Sequence, residues 1–411
     1  MIEVREALDR VLRDVRRLEG EMVALPAALG RVVAEEVRSA REVPPFRNSA
    51  MDGFAVRAAD IAGASVDRPT LLDVVETVGA GSVARRRVGD GEAIRIMTGA
   101  PLPDGADAVV RVEDTDAGES AVAIRVGVEL GANVREAGED VRRGDVVLEM
   151  GRILRPADIG VLASIGQSVV RVVRRPRVAV IATGDELVEI GQPLAPGQIV
   201  NSNAYTLAAA IEELGAEATV VGIVPDQPDR MREAFARGLR ADVLLSTGGV
   251  SVGNFDFVRA TLAELGYEES FWKVAQKPGK PLSFGWRGET AVFGLPGNPV
   301  SALVCFYLYV VPALRSMMGI REVHLTTVRA TLASEIRLAG TLTEFVRCVL
   351  DGPLDSLRAR STGSQSSGVL RSLSLGDGLI IGPKGQSGLV AGAAVSVVLL
   401  RPEFGSVEPP L

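Results

Sequence analysis

Three of the chain's four lysines, Lys273, Lys277 and Lys280, fall within eight positions of a 411-residue sequence that otherwise uses arginine 41 times. They sit in FWKVAQKPGKPLSFG. An ammonium is a compact point charge on a flexible stem, whereas guanidinium is a wide planar fork, so several cations crowded around one small tetrahedral anion favour lysine. A solvated loop that treats the two residues as interchangeable would give the same spacing. About twenty positions on comes GLPGNPVS, residues 294–301, a strand-to-helix turn of a kind that holds anions.

Carboxylates form the second set. TGDEL (183–187) places Asp185 and Glu186 just past an apolar run, Asp226 follows a second run, and Asp256 lies beyond a third, after TGGVSVG. Acidic residues at successive strand ends suit Mg²⁺, a hard cation that takes oxygen ligands. Asp before a helix is also a favoured N-cap, and Asp256 fits either role. The glycines of TGGVSVG allow backbone N–H groups to converge on a phosphate. The spacing is not that of a P-loop, and no GxGxxG follows the first strand, which disfavours a dehydrogenase. NSAMDGFAV (48–56) and IMTGAPLP (96–103) read on their own as tight polar turns.

Composition narrows the chemistry. A single histidine, His324, rules out a His-rich zinc site and leaves acid–base work to carboxylates and lysines. Net charge is −7 and no basic stripe is interleaved with aromatics, so no nucleic-acid partner is expected. Attraction for an anion must therefore be local. Cys305 and Cys348 lack motif spacing and read as buried thiols of a reducing cytoplasm. The opening MIEVREALDRVLRDVRRLEG reads as an amphipathic helix, not a targeting segment. PVSALVCFYLYVVPAL (299–314) is too short to span a bilayer and contains Pro312, so it reads as a buried helix, and no membrane association is expected.

These side chains need a scaffold. Between 171 and 320 strand and helix patterns alternate: VAVIAT, a helix capped by Asn201 or Asn203, ATVVGIV, a helix after Pro228, DVLLST, FDFVRATLAELG, then TAVFGL. Repeated βαβ units imply a mostly parallel sheet covered by helices, with ligands outside the carboxyl ends of its strands. The segments 45–140 and 325–411 carry short apolar runs broken by Gly, Pro and Asp, and read as two β-rich domains. A helix is expected to begin near Pro156.

NSAMDGFAV, MTGAPLPDGAD, REAGEDVRRGD, TGDEL, STGGVSVGNFD, KPGKPLSFG and GLPGNPVS occur in the order and approximate spacing of the molybdopterin molybdenumtransferases. The chain resembles this MoeA family, which includes the E domain of gephyrin, from about residue 20 to 385. The resemblance implies a multidomain α/β plus β fold in four parts. An α/β/α domain with a mostly parallel sheet would use 1–20 and 171–322, and a discontinuous linker domain 21–44 and 139–170. The β-rich domain 45–138 would complete the partner subunit's cleft, and 323–411 would form a C-terminal barrel.

The resemblance further implies a Mg²⁺-dependent transferase that inserts molybdate into adenylylated molybdopterin, releasing AMP and molybdenum cofactor. It would act as a cytoplasmic homodimer, with transient contacts to the adenylyltransferase and to recipient apoenzymes. Catalytic positions would be Asp52, Glu186, Asp256, Lys273 and Lys277. Substrate-binding positions would be Thr98, Asp140, Lys280, Pro296, Pro299, Ser301, Arg347 and Ser367, the last two as oxyanion contacts, and Asp226 and Asp256 would hold Mg²⁺. Arg47 stands where the family usually has an acidic residue, and the segment after Gln365 is poorer in glycine than is usual. A molybdopterin adenylyltransferase and a non-catalytic cofactor-binding scaffold are the competing expectations. Molybdate and tungstate, two tetrahedral dianions of nearly equal size, are not distinguished by sequence.

Overall fold

The computed structural model describes residues 1–248 and 255–401, the side chains of Phe255 and Asp256 excepted. The chain divides into two compact units. One comprises Met1–Glu21, Gly30–Ala34 and Val172–Leu411; the other comprises Met22–Leu29 and Glu35–Arg171.

The first unit is built on a six-stranded sheet. Its order is Glu217–Val224, Arg177–Thr183 (β1), Val243–Thr247, Thr290–Leu295, Ser283–Arg287 and Glu268–Trp272. The first four strands are parallel and the last two antiparallel. Successive side chains of a strand point to opposite faces, and β1 shows this directly. Val178 and Val180 join the core with Leu207 and Ile211 of helix Ser202–Glu213 and Phe306 and Val310 of the long C-terminal helix. Ala179 and Ile181 instead meet Met231 and Phe235 of helix Pro228–Gly238 and Val258 and Leu262 of helix Phe255–Glu264. Helix Val4–Arg13 adds Ala7 and Val11 to the first core. The expected long apolar helix runs Pro299–Met317; it is long and apolar enough to cross a bilayer, but most of it is buried in this core.

The same unit contains a five-stranded barrel. Thr343–Asp351 (β2), Arg358–Ser361, Thr327–Leu332, Ala394–Leu399 and Gly378–Gly382 pair in turn, and the last pairs back onto β2. Val346, Cys348, Leu350, Ile380, Val395 and Val397 fill it. The lysine segment, expected as a loop, adds a short strand to the outside: Gln276–Lys277 runs parallel to β2, with Gln276 opposite Thr343 and Lys277 opposite Glu344. The α/β layer and the barrel thus share backbone hydrogen bonding at the lysines. Cys305 and Cys348 are buried free thiols.

The second unit is β-rich, as expected for its middle part. Ala108–Arg111, Gly53–Val56, Glu92–Ile96, Thr70–Val78 and Ala121–Ile124 form a five-stranded sheet in that order. Gly53 is required by close approach, since a Cβ there would sit 1.9 Å from the Val110 carbonyl oxygen. Pro156–Ser164 forms the expected helix, with Pro156 at its first position and Asp158 accepting the Arg155 N–H at 2.9 Å. The segments expected as a linker domain, 21–44 and 139–170, fall largely in this unit.

Candidate active site

The parallel strands bring four of the motifs to one edge. Thr183, at the end of β1, lies opposite Val224, and Ala182 opposite Thr247, which is itself opposite Leu295. TGDEL, the Asp226 turn, the TGGVSVG loop and GLPGNPVS therefore all leave from the carboxyl end of the sheet, where such folds bind ligands. Of TGGVSVG only Thr247 and Gly248 are among the described residues.

Local bonds tie these turns together. The backbone N–H of Asp226 donates to Asp185 Oδ1 at 3.2 Å, so the turns after two adjacent strands are tied together. The Glu186 carbonyl accepts from Ile199 N–H at 2.8 Å, and Leu187–Val188 pairs with Ile199–Val200 inside what reads from sequence as a plain loop. Of the two cap candidates, Asn201 takes the role by accepting from Ala204 N–H. Asn203 instead donates to the Gly297 carbonyl at 2.7 Å, fastening the PGNP turn. Pro296 and Ser301 are buried, Pro299 half-buried, and helix Pro299–Met317 starts here with Pro299 at its first position.

The lysine segment folds back on itself, with Gly279 resting against Cys305 and the Ser301 carbonyl of the helix that follows this turn. Val274 N–H donates to the Lys280 carbonyl and Lys273 N–H to the Leu282 carbonyl, both at 2.9 Å, which sets Lys273 beside Lys280 and leaves Lys277 at the bend. Lys273 takes a left-handed backbone (φ 70°), and its Nζ lies 3.7 Å above the Trp272 ring. Such a cation–π contact holds an ammonium without neutralising it. Lys280 is exposed. Lys277 Nζ pairs with Glu344 Oε2 at 3.1 Å, and the Ala339 N–H donates to the other oxygen of that carboxylate. Glu344 is only 8% exposed in its side chain against 54% for Lys277, so a nearly buried acid holds an exposed base.

The barrel delivers a second group to the same turn. Ser367 Oγ accepts from Asn298 Nδ2 at 3.0 Å, and its carbonyl accepts from Val300 N–H at 3.2 Å. Arg347, expected as an oxyanion contact, is 1% exposed and directs its donors inward. Nε reaches Ser372 Oγ, Nη1 the Gln365 carbonyl, and Nη2 the carbonyls of Ser364 and Ser366, all at 3.0–3.2 Å. Burial pushes its pKa down to about 10, so it remains charged at neutral pH.

In the second unit, Asp52 Oδ1 accepts both the backbone N–H and the hydroxyl of Thr98, each at 2.7 Å. The backbone bond first, and the hydroxyl second, hold this carboxyl below its ordinary range. Asp140 is exposed and, with Val43, Pro44, Asn48, Arg135 and Glu139, lines a cavity of about 490 Å³. Arg47 donates to Glu136 Oε1 at 3.0 Å.

The structure thus gathers Lys273, Lys277, Lys280, Pro296, Pro299, Ser301 and Ser367 in one unit, with Glu186 and Asp226 at the same sheet edge, and places Asp52, Thr98 and Asp140 in the other. The side chain of Asp256 lies outside the described residues. Among the described residues no three His, Cys, Asp or Glu side chains cluster as metal ligands. Sequence reasoning missed Glu344, Asn203 and Asn298. Glu344 stands three residues before Arg347 in EFVR, and only the register of β2 reveals what it faces.

Three family models match the chain: the MoeA N-terminal region (domains I and II) over residues 2–166, a probable molybdopterin binding domain over 179–316, and the MoeA C-terminal region (domain IV) over 329–400. A molybdopterin molybdenumtransferase of Bacillus subtilis is 38% identical over 99% of this chain and 96% of its own length. One from Staphylococcus aureus is 36% identical over 99% and 97%. The crystal structure of a molybdopterin biosynthesis moea protein from Pyrococcus horikosii superposes with a TM-score of 0.84 at 33% identity, covering 98% of this chain and 99% of that one.

Proposed function

Since the chain belongs to the MoeA family of molybdopterin molybdenumtransferases, we propose how its residues divide the work of a Mg²⁺-dependent insertion of molybdate into adenylylated molybdopterin. The protein is an enzyme of molybdenum cofactor biosynthesis, a transferase that inserts molybdenum into molybdopterin. AMP and molybdenum cofactor are the products of the proposed reaction, and the cytoplasm is its compartment.

The observation that carries this division is the lysine segment folded back on itself against the helix that starts at Pro299, with Ser367 held to the PGNP turn by Asn298. Lys277 and Lys280 hold the molybdate dianion through charge-assisted hydrogen bonds, each contributing roughly 1.5–3 kcal/mol. Lys273, oriented by Trp272, adds positive potential. Ser367 and the turn at Pro296, Pro299 and Ser301 complete the anion pocket. Arg347 serves by shaping the loop that carries Ser367.

Asp226 and Asp256 would hold Mg²⁺ against the pyrophosphate, where the ion supplies charge neutralisation and polarisation of phosphorus. Glu186, at the same strand end, would activate the attacking oxygen. Asp52 is held ionised by Thr98, which makes it a poor proton store, so it orients donor groups of the substrate together with Asp140. Asp226→Asn and Asp256→Asn keep the shape and remove the charge. AMP release, measured against Mg²⁺ concentration, should fall by at least roughly a hundredfold in each variant. The melting temperature should hold or rise as carboxylate repulsion is relieved. Unchanged turnover with unchanged Mg²⁺ dependence in both variants would reject the metal role, and neither residue is left as a cap, since Gln227 is the N-cap of helix Pro228–Gly238 and Asp256 lies within helix Phe255–Glu264.

The resemblance to the family, in which the β-rich part completes the partner subunit's cleft, supports a homodimer. A heterodimer of Asp52→Ala and Lys277→Ala subunits should recover part of the activity, because one of its two clefts is intact. An inactive, verified heterodimer would reject the shared cleft.

A further inference from the structure

The long helix beneath the lysines is not uniform. Residues Pro299–Cys305 are α-helical, Phe306–Val310 form a π-turn closed by Val311 N–H donating to the Phe306 carbonyl, and Val311–Met317 resume the α-helix. Pro312 accounts for the interruption. Its ring collides with the carbonyl four residues back and it has no N–H to give, a mismatch that a wider turn absorbs. The π-turn carries Tyr309, which is fully buried in an otherwise apolar core.

The Tyr309 hydroxyl donates to Gln276 Oε1, and Gln276 is also fully buried. Its Nε2 donates to the Pro278 carbonyl at 2.9 Å and lies 3.6 Å from Cys305 Sγ. The thiol in turn lies 3.6 Å from the Gly279 carbonyl. Burial raises the pKa of both the Tyr309 hydroxyl and the Cys305 thiol, so both stay protonated and able to donate. Cys305 and Tyr309 are four residues apart, on one face of the helix. Gly279, at φ +95°, rests directly on this face: a Cβ there would meet Cys305 Sγ at 2.4 Å and Gln276 Nε2 at 2.7 Å.

The buried network therefore fixes two successive carbonyls, those of Pro278 and Gly279, which are the backbone between Lys277 and Lys280. We propose that Tyr309 and Gln276 are positioning residues of the oxyanion site, setting from beneath the turn that aims Lys277 and Lys280. This rests on the assignment of those lysines to the oxyanion.

The test is a double-mutant cycle on the full-length enzyme, with KM for molybdate and for adenylylated molybdopterin measured separately. Tyr309→Phe removes one hydroxyl and should raise KM for molybdate about tenfold while KM for the pterin substrate stays within about twofold. In a Lys277→Ala background the same change should add less than about twofold, because its route of action is already gone. A merely structural role would lower the melting temperature and burden both substrates equally in both backgrounds, and that result overturns the inference. Lys277→Ala with wild-type KM for molybdate would instead overturn the lysine assignment, and the inference with it. If Tyr309→Phe does not fold, Cys305→Ala carries the same cycle, with about a threefold rise expected from loss of the Gly279 contact.

Discussion

Lys277→Ala should raise KM for molybdate roughly ten- to a hundredfold, the loss of one charge-assisted hydrogen bond to a dianion. From sequence alone this lysine reads as a loop residue that contributes little to a core. The structure corrects that expectation, because Lys277 is the partner of the nearly buried Glu344. Its removal leaves a carboxylate held only by the Ala339 N–H, so a loss of about 1 kcal/mol accompanies the kinetic defect. Lys277→Arg separates the two effects. The guanidinium fork matches a carboxylate bidentately, so Glu344 should capture it and restore stability while drawing the charge away from the oxyanion. Melting temperature near wild type with KM still raised at least about fivefold is the expected pair of results. Wild-type KM in the Arg variant would show that the compactness of the ammonium is irrelevant.

Arg347→Met should be the most damaging single change in the barrel. Methionine fills much of the volume but leaves the carbonyls of Ser364, Gln365 and Ser366 and the Ser372 hydroxyl without the donors that hold them. Relief of burying a charge offsets part of this, as the lowered pKa of about 10 indicates. For a base with a depressed pKa the burial cost acts at every pH below that value, so it is present throughout the neutral range. The balance is a loss of about 3 kcal/mol, read as an earlier unfolding transition in denaturant. Ser367 would also be released from Asn298 and Val300, with KM for molybdate raised as well. Arg347→Lys, with three donors for four acceptors, should fall between. A destabilised Arg347→Met enzyme with wild-type KM would show that this loop does not reach the oxyanion.

What the sequence discloses here follows the range of the interactions. The parallel strands were legible because each is a short apolar run between glycines and prolines, and a buried strand needs little else. The helix starts at Pro156 and Pro228 were legible because proline fits the first turn of a helix. The two antiparallel strands Glu268–Trp272 and Ser283–Arg287 were not, since the lysine segment between them reads as an uninterrupted loop. Nothing local predicts that Gln276–Lys277 will pair with a strand of the barrel. Arg347 shows the same limit: its residue type points to an anion, and only the fold reveals that the anion-like partners are backbone carbonyls. Gln276 and Tyr309 carry no motif at all, because their meaning depends on a π-turn that two helical segments create between them.

The shared strand at Gln276–Lys277 also imposes an order in time. Chains emerge from the ribosome N-terminal end first, and domains generally fold as units during synthesis. The four parallel strands of the α/β sheet are complete once Leu295 has appeared, and the layer can close once helix Pro299–Met317 has covered it, while the barrel is still being made. Lys277 cannot be finished then: its carboxylate partner is 67 residues further along, and its backbone neighbour belongs to a barrel not yet synthesised. A nascent or truncated chain would carry a folded α/β layer with unanchored lysines, so capture of the oxyanion is reserved for the completed protein.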